Sequence, residues 1–103
     1  MLLKVLDRVT LLGILPEQGD YLTLKIVRKL REALSFDEAE LALLKIVQEG
    51  NQMKWDAEAD EGKDIEIGEK ATDVVVGCLK KLNDEKKLTQ QHYSLYEKFV
   101  ESK

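Results

Sequence analysis

Leu2, Val5, Leu6, Val9 and Leu12 recur every three to four positions, the spacing that lines apolar side chains along one helix face. The pattern predicts a helix over about residues 2–15, or a shorter one capped by Asp7 and ending near Leu15. Pro16-Glu17-Gln18-Gly19-Asp20 is turn material. A second helix is expected over about 21–34, burying Leu22, Ile26, Leu30 and Ala33 or Leu34. Ser35 and Glu38 are spaced as a capping box, the hydroxyl and the carboxylate each accepting from the other's amide. A third helix then spans about 36–44.

The period changes from here. Residues 45–49 and 52–56 flank Gly50-Asn51, which predicts a two-residue hairpin. Its register pairs Ile46 with Trp55, Val47 with Lys54 and Gln48 with Met53. Residues 64–67 are expected as a third strand with Ile65 and Ile67 turned inward. Two further helices follow, at about 69–82 and 90–101. The first carries Ala71, Val75, Cys78, Leu79 and Leu82 on its apolar face. In the second, Thr89 is the expected cap, Leu88 and Tyr93 a hydrophobic staple, and Tyr93, Tyr96, Phe99 and Val100 the packing residues. The fold class is therefore α+β and mainly helical. About five helices surround a small two- or three-stranded antiparallel sheet in the middle, and 103 residues fit one domain, 1–103.

Charge changes the picture because it is uneven. The chain carries a net charge of −4, but residues 37–72 hold eleven acidic and four basic side chains. A globally acidic chain lacks the footprint of a phosphate-backbone binder, which argues against nucleic acid as partner. A helix-helix-helix-hairpin order fits a winged helix, but the third helix opens Asp37-Glu38-Ala39-Glu40 and would meet phosphates with carboxylates. No run approaches the ~20 apolar residues that span a bilayer, and no signal peptide is evident, so no membrane role is expected. A single cysteine, Cys78, permits no internal disulfide and fits a cytoplasmic setting.

The acidic surplus concentrates between Trp55 and Ile67. Asp56, Glu58, Asp60, Glu61 and Asp64 crowd this stretch and form the expected partner-binding patch. Asp56, Glu58, Asp60 and Asp64 have the one-three-five-nine spacing of a calcium loop. Glu61 stands where the turn glycine belongs, Lys63 where an apolar residue belongs, and Ile67 where a bidentate glutamate belongs. A solvated hairpin loop, with at most weak cation binding, is the favoured reading. No metal site and no cofactor are assigned.

Lys25, Arg28, Lys29 and Arg31 place four cations on the second helix, a solvated face or an alternative patch for an anionic ligand. The only tryptophan, Trp55, is expected in the core rather than at an interface. His92, the only histidine, is expected at the surface. Cys78 and His92 have no metal-ligand spacing and no third partner, so no catalytic constellation is present and no enzyme is expected. The apolar residues of 2–15 outnumber one buried face, which suggests a homodimer surface.

Two segments carry a resemblance. They are Leu11-Leu12-Gly13-Ile14-Leu15-Pro16-Glu17-Gln18-Gly19-Asp20-Tyr21-Leu22-Thr23-Leu24-Lys25, and Ile65-Glu66-Ile67-Gly68-Glu69-Lys70-Ala71-Thr72-Asp73 with Leu95-Tyr96-Glu97-Lys98-Phe99. Together they resemble small uncharacterised proteins encoded by phages and prophages. The resemblance implies a short accessory protein that acts by binding, as an adaptor, a host-factor inhibitor or an anti-defence protein, in the host cytoplasm. The leading expectation is a non-enzymatic protein-binding module acting through its acidic surface. The alternatives are a homo-oligomer that sequesters a small anionic ligand and a weak cation-binding domain.

Overall fold

In a computed structural model, which describes residues 1–101, the first helix is the centre of the molecule. This helix, α1 (Val5–Ile14), packs against α2 (Tyr21–Leu34), α4 (Glu69–Asp84) and α5 (Gln90–Tyr96). A π-helical turn, Glu97–Glu101, continues α5 and closes on α4. α3 (Glu38–Leu44) and a hairpin of β2 (Val47–Glu49) and β3 (Gln52–Lys54) form an arm beside this body. The fold is α+β and mainly helical, with its antiparallel pairing divided into two separate two-stranded sheets.

That division is the main departure from the sequence pattern. The segment expected as a third hairpin strand pairs instead with the chain start. β1 (Leu2–Leu3) and β4 (Lys63–Asp64) run antiparallel, with Leu2 opposite Asp64 and Leu3 opposite Lys63. Residues 2–4 are therefore extended rather than helical. Burial gives the reason: the pairing seals Leu3 and Ile65 into the core together. Ile65 is buried and Ile67 half-buried, the inward alternation their spacing predicts.

Helix α1 begins at Val5 because its free amides find acceptors there. The Asp7 carboxylate accepts from the Lys4 amide at 3.2 Å, so Asp7 caps from inside the first turn rather than ahead of it. Asp60 accepts from the Val5 amide at 3.2 Å and 3.3 Å. Asp20 caps α2 through the Thr23 amide at 2.8 Å, which holds its carboxyl below the usual value.

The expected box at Ser35 and Glu38 moves two residues on. Asp37 accepts from the Glu40 amide at 2.7 Å. The Ser35 hydroxyl turns back to the Arg31 carbonyl at 2.7 Å and is not available to α3.

The core joins Leu3, Leu11 and Leu15 with Val27, Leu30 and Leu34 of α2, Ile65, Val75, Val76 and Leu79 of α4, Leu95 of α5, and Phe99. Each such side chain contributes about 1.5–3 kcal/mol on burial. α2 buries the expected Leu30 and Leu34 and departs from its expected face only in its first half, where Ile26 is half-buried. It buries Val27, Leu30 and Leu34 and leaves Leu22 exposed. α4 adds Val76 and keeps Cys78 only half-buried. In α5, Leu95 is the buried residue and Tyr93 stands in solvent.

Of the apolar positions in residues 2–15, Leu3, Val5, Leu11 and Leu15 are buried, Val9, Leu12 and Ile14 are half-buried, and Leu2 and Leu6 are exposed.

The hairpin has the register the alternation predicts over its three paired positions, Val47 with Lys54, Gln48 with Met53 and Glu49 with Gln52. Gly50 takes φ +58° at the first turn position, where a two-residue hairpin turn needs glycine. Ile46 and Trp55 lie beyond the ladder. Among the described residues, no helix is long and apolar enough to cross a membrane.

Candidate functional site

The acidic stretch folds as a loop between β3 and β4. Its carboxylates divide into two groups. Asp60 engages the amide that opens α1. Asp64 pairs with the Met1 ammonium at 2.8 Å, and Asp56 accepts from the Glu58 amide at 3.0 Å, the closure of a local turn. Glu58 and Glu61 are exposed and have no ion-pair partner among the described residues. Three of the five carboxylates thus answer different donors and two face solvent, so the set does not converge. No three His, Cys, Asp or Glu side chains among the described residues meet as metal ligands. Gly62 sustains the bend at φ +87°, and a Cβ there would approach the Leu2 side chain to 3.0 Å.

This loop forms one wall of a cleft of about 250 Å³. Leu43 and Leu44 of α3 form another wall, and Leu3, Val5 and Arg8 its base. Leu43 is 68% exposed, although it sits beside this apolar base.

Arg8 holds the cleft together. It is 2% exposed and its guanidinium meets the carbonyl end of α2, at Leu34 O (3.1 Å) and Ser35 O (2.6 Å). Those are terminal carbonyls with no helical partner, at the negative end of the helix dipole. Arg8 also pairs with Glu40 of α3, and its guanidinium carbon lies 4.0 Å from the centre of the Phe36 ring. Lys63 from the acidic loop reaches the same Glu40 carboxylate at 3.2 Å. The Arg8 hydrogen bond, aided by Lys63, holds the Glu40 carboxyl below its usual value against the opposing effect of burial.

Neither Arg8 nor Glu40 emerges from sequence reasoning as a site residue. The available signal was the interruption of the apolar run 2–15 by Asp7 and Arg8. Both are buried, and each is tied to a distant segment. Asp7 accepts from Lys98 of the π turn at 2.7 Å.

The second expected patch lies elsewhere. Lys25, Arg28 and Lys29 are exposed on α2 and Arg31 is half-buried. None of the four has an ion-pair partner among the described residues. Arg28 and Arg31 border a shallow recess with Pro16, Glu17 and Leu24.

Trp55 is half-buried and outside the core cluster, at the edge of a separate cleft. His92 is half-buried, and its Nδ1 accepts from the Thr89 amide at 2.9 Å, closing the first turn of α5. Burial pushes the Cys78 thiol up, away from the reactive thiolate.

The chain matches no protein-family model, no curated protein and no solved structure. Function therefore has to follow from side chains and their placement.

Proposed function

We propose that this chain is a non-enzymatic module that binds a protein partner through the face made by the acidic loop and α3. One observation carries the reading. Glu61 and the strongly exposed Leu43 line the same cleft, so an unpaired carboxylate borders an accessible apolar surface. Protein interfaces combine such an apolar centre with a charged rim that steers the approach. Asp56 and Glu58 extend the negative rim, and the complementary partner is a basic surface that carries an apolar side chain. The resemblance to short phage-encoded proteins supports an inhibitor or adaptor role in the host cytoplasm. The test is affinity capture by the parent chain against a Glu58→Lys, Glu61→Lys variant. The reading predicts a partner lost with the variant and weakened by salt; capture indifferent to both changes opposes it.

A second reading has its own support. Lys25, Arg28, Lys29 and Arg31 lack ion-pair partners among the described residues, as an anionic ligand would require. Calorimetry with inorganic phosphate, repeated on a Lys25→Glu, Lys29→Glu variant, tests it: heat lost with the variant supports the patch, and absence of heat with the parent removes it.

A further inference from the structure

We infer that the cleft between α1, the hairpin and the start of α5 is a binding site for an uncharged planar heteroaromatic ring of nucleobase size. Three independent features meet there.

The first is charge. The cleft has a volume of about 540 Å³, within the range of small-molecule sites, roughly 300–1,000 Å³. Its lining contains no Asp, Glu, Lys or Arg, on a chain in which 35% of residues are charged. Beside it, Lys54 and Glu49 neutralise each other across the hairpin at 3.0 Å. His92 also lines the cleft, with its Nδ1 engaged as acceptor of the Thr89 amide, so a phosphate or carboxylate would find no permanent counter-charge within the lining. An uncharged ligand has nothing to lose there.

The second is a pair of polar groups without partners. Thr10 is 8% exposed and lines the cleft, yet its hydroxyl has no hydrogen bond among the described residues. Among the described residues no fully enclosed side-chain polar atom lacks a partner, so this hydroxyl of a cleft-lining residue keeps some access to solvent. A helical threonine ordinarily satisfies itself on a carbonyl of the preceding turn, as Thr72 does on Gly68 at 2.9 Å. The indole N–H of half-buried Trp55 is also unpartnered among the described residues. Partly buried Trp N–H groups usually find an acceptor.

The third is shape and surface. Leu6, Val9 and Ile14 supply an apolar floor, and Trp55 supplies an aromatic wall. A planar ring offers ring nitrogens or carbonyls to the Thr10 hydroxyl, and to Trp55 either its face against the indole or an edge acceptor for the in-plane N–H. Gln91 borders the opening as a further donor and acceptor.

The chain's single tryptophan makes the test direct, because its indole N–H gives one resonance in a proton–nitrogen NMR spectrum. The whole chain is titrated with adenosine and uridine, and separately with adenosine 5′-monophosphate. The inference predicts a saturable shift of the Trp55 resonance with at least one nucleoside, and no tighter binding of the monophosphate. Thr10→Val should weaken binding by about fivefold while leaving the rest of the spectrum in place, since losing one hydrogen bond costs roughly 1 kcal/mol. Gln91→Ala, at an exposed position, is the second variant and should weaken binding without any folding risk. An indole resonance that stays fixed up to about 10 mM nucleoside, an affinity too weak to matter, would overturn the inference. So would parent-like binding by both variants, or binding that needs the phosphate.

Discussion

Arg8 and Glu40 form a salt bridge that fastens α3 to the central helix, the arginine 2% and the glutamate 18% exposed. The guanidinium also caps the carbonyl end of α2, so three helices meet at one side chain. Removing one member of such a pair leaves the other desolvated and alone, which typically costs about 3–5 kcal/mol. Arg8→Ala should therefore lower unfolding stability by about 3 kcal/mol, near the low end of that range because Glu40 retains Lys63. Arg8→Met with Glu40→Leu should recover roughly half of that loss, because an apolar pair carries no desolvation cost. Urea melts of the three proteins measure both changes, and a double variant no better than Arg8→Ala contradicts the account.

The same bridge sets an acid limit. The Glu40 carboxyl is held below its ordinary value of 4.5, chiefly by the Arg8 hydrogen bond. A carboxyl depressed in the folded state contributes fully above its unfolded value and loses that contribution as pH falls through the folded one. Stability should hold above pH 4.5 and drop below it. Glu40→Gln should start less stable and show a shallower acid loss. Thermal melts between about pH 3 and 7 decide this, and parallel curves would remove Glu40 as the cause.

The acidic loop separates into structural and outward-facing carboxylates, and the two should respond differently to substitution. Asp60 satisfies the opening amide of α1, so Asp60→Ala should cost about 1 kcal/mol, as for other lost caps. Glu58→Lys and Glu61→Lys touch no such partner and should stay within about 0.5 kcal/mol of the parent. Equal destabilisation by all three would show that the loop carboxylates are not divided in this way.

Lysines occupy two left-handed backbone positions. Lys86 has φ +58° just past α4, with Lys87 N–H on Leu82 O at 2.8 Å and Lys86 N–H on Asn83 O at 3.0 Å. That double closure is the helix ending at which glycine is preferred. Lys45 has φ +52° after α3. Lys86→Gly and Lys45→Gly should each raise stability by about 0.5–1 kcal/mol, measured by chemical denaturation.

Local patterns in the sequence made the helices, the hairpin register and the inward Ile65 and Ile67 legible, because each depends on spacing within a few residues. Pairings between distant segments were not legible in that way. β1 meets β4 across some sixty residues, and neither edge carries a turn signal that names its partner. The same holds at the site. The acidic loop stands out by composition, yet which carboxylates are engaged depends on an α1 amide and a chain-start ammonium far away in sequence. Arg8 was visible only as a polar break in an apolar run, and Asp7 as such a break and as a candidate helix cap. Such breaks mark a buried polar group that needs a long-range partner, here Lys98 and Glu40.

The most direct test of the binding reading compares three proteins in one affinity capture read by mass spectrometry: the parent, Glu58→Lys with Glu61→Lys, and Lys25→Glu with Lys29→Glu. The account predicts one partner enriched by the parent, retained by the α2 variant and lost by the loop variant, with all three equally folded. A partner retained by the loop variant, or lost only when the α2 cations are reversed, would contradict it.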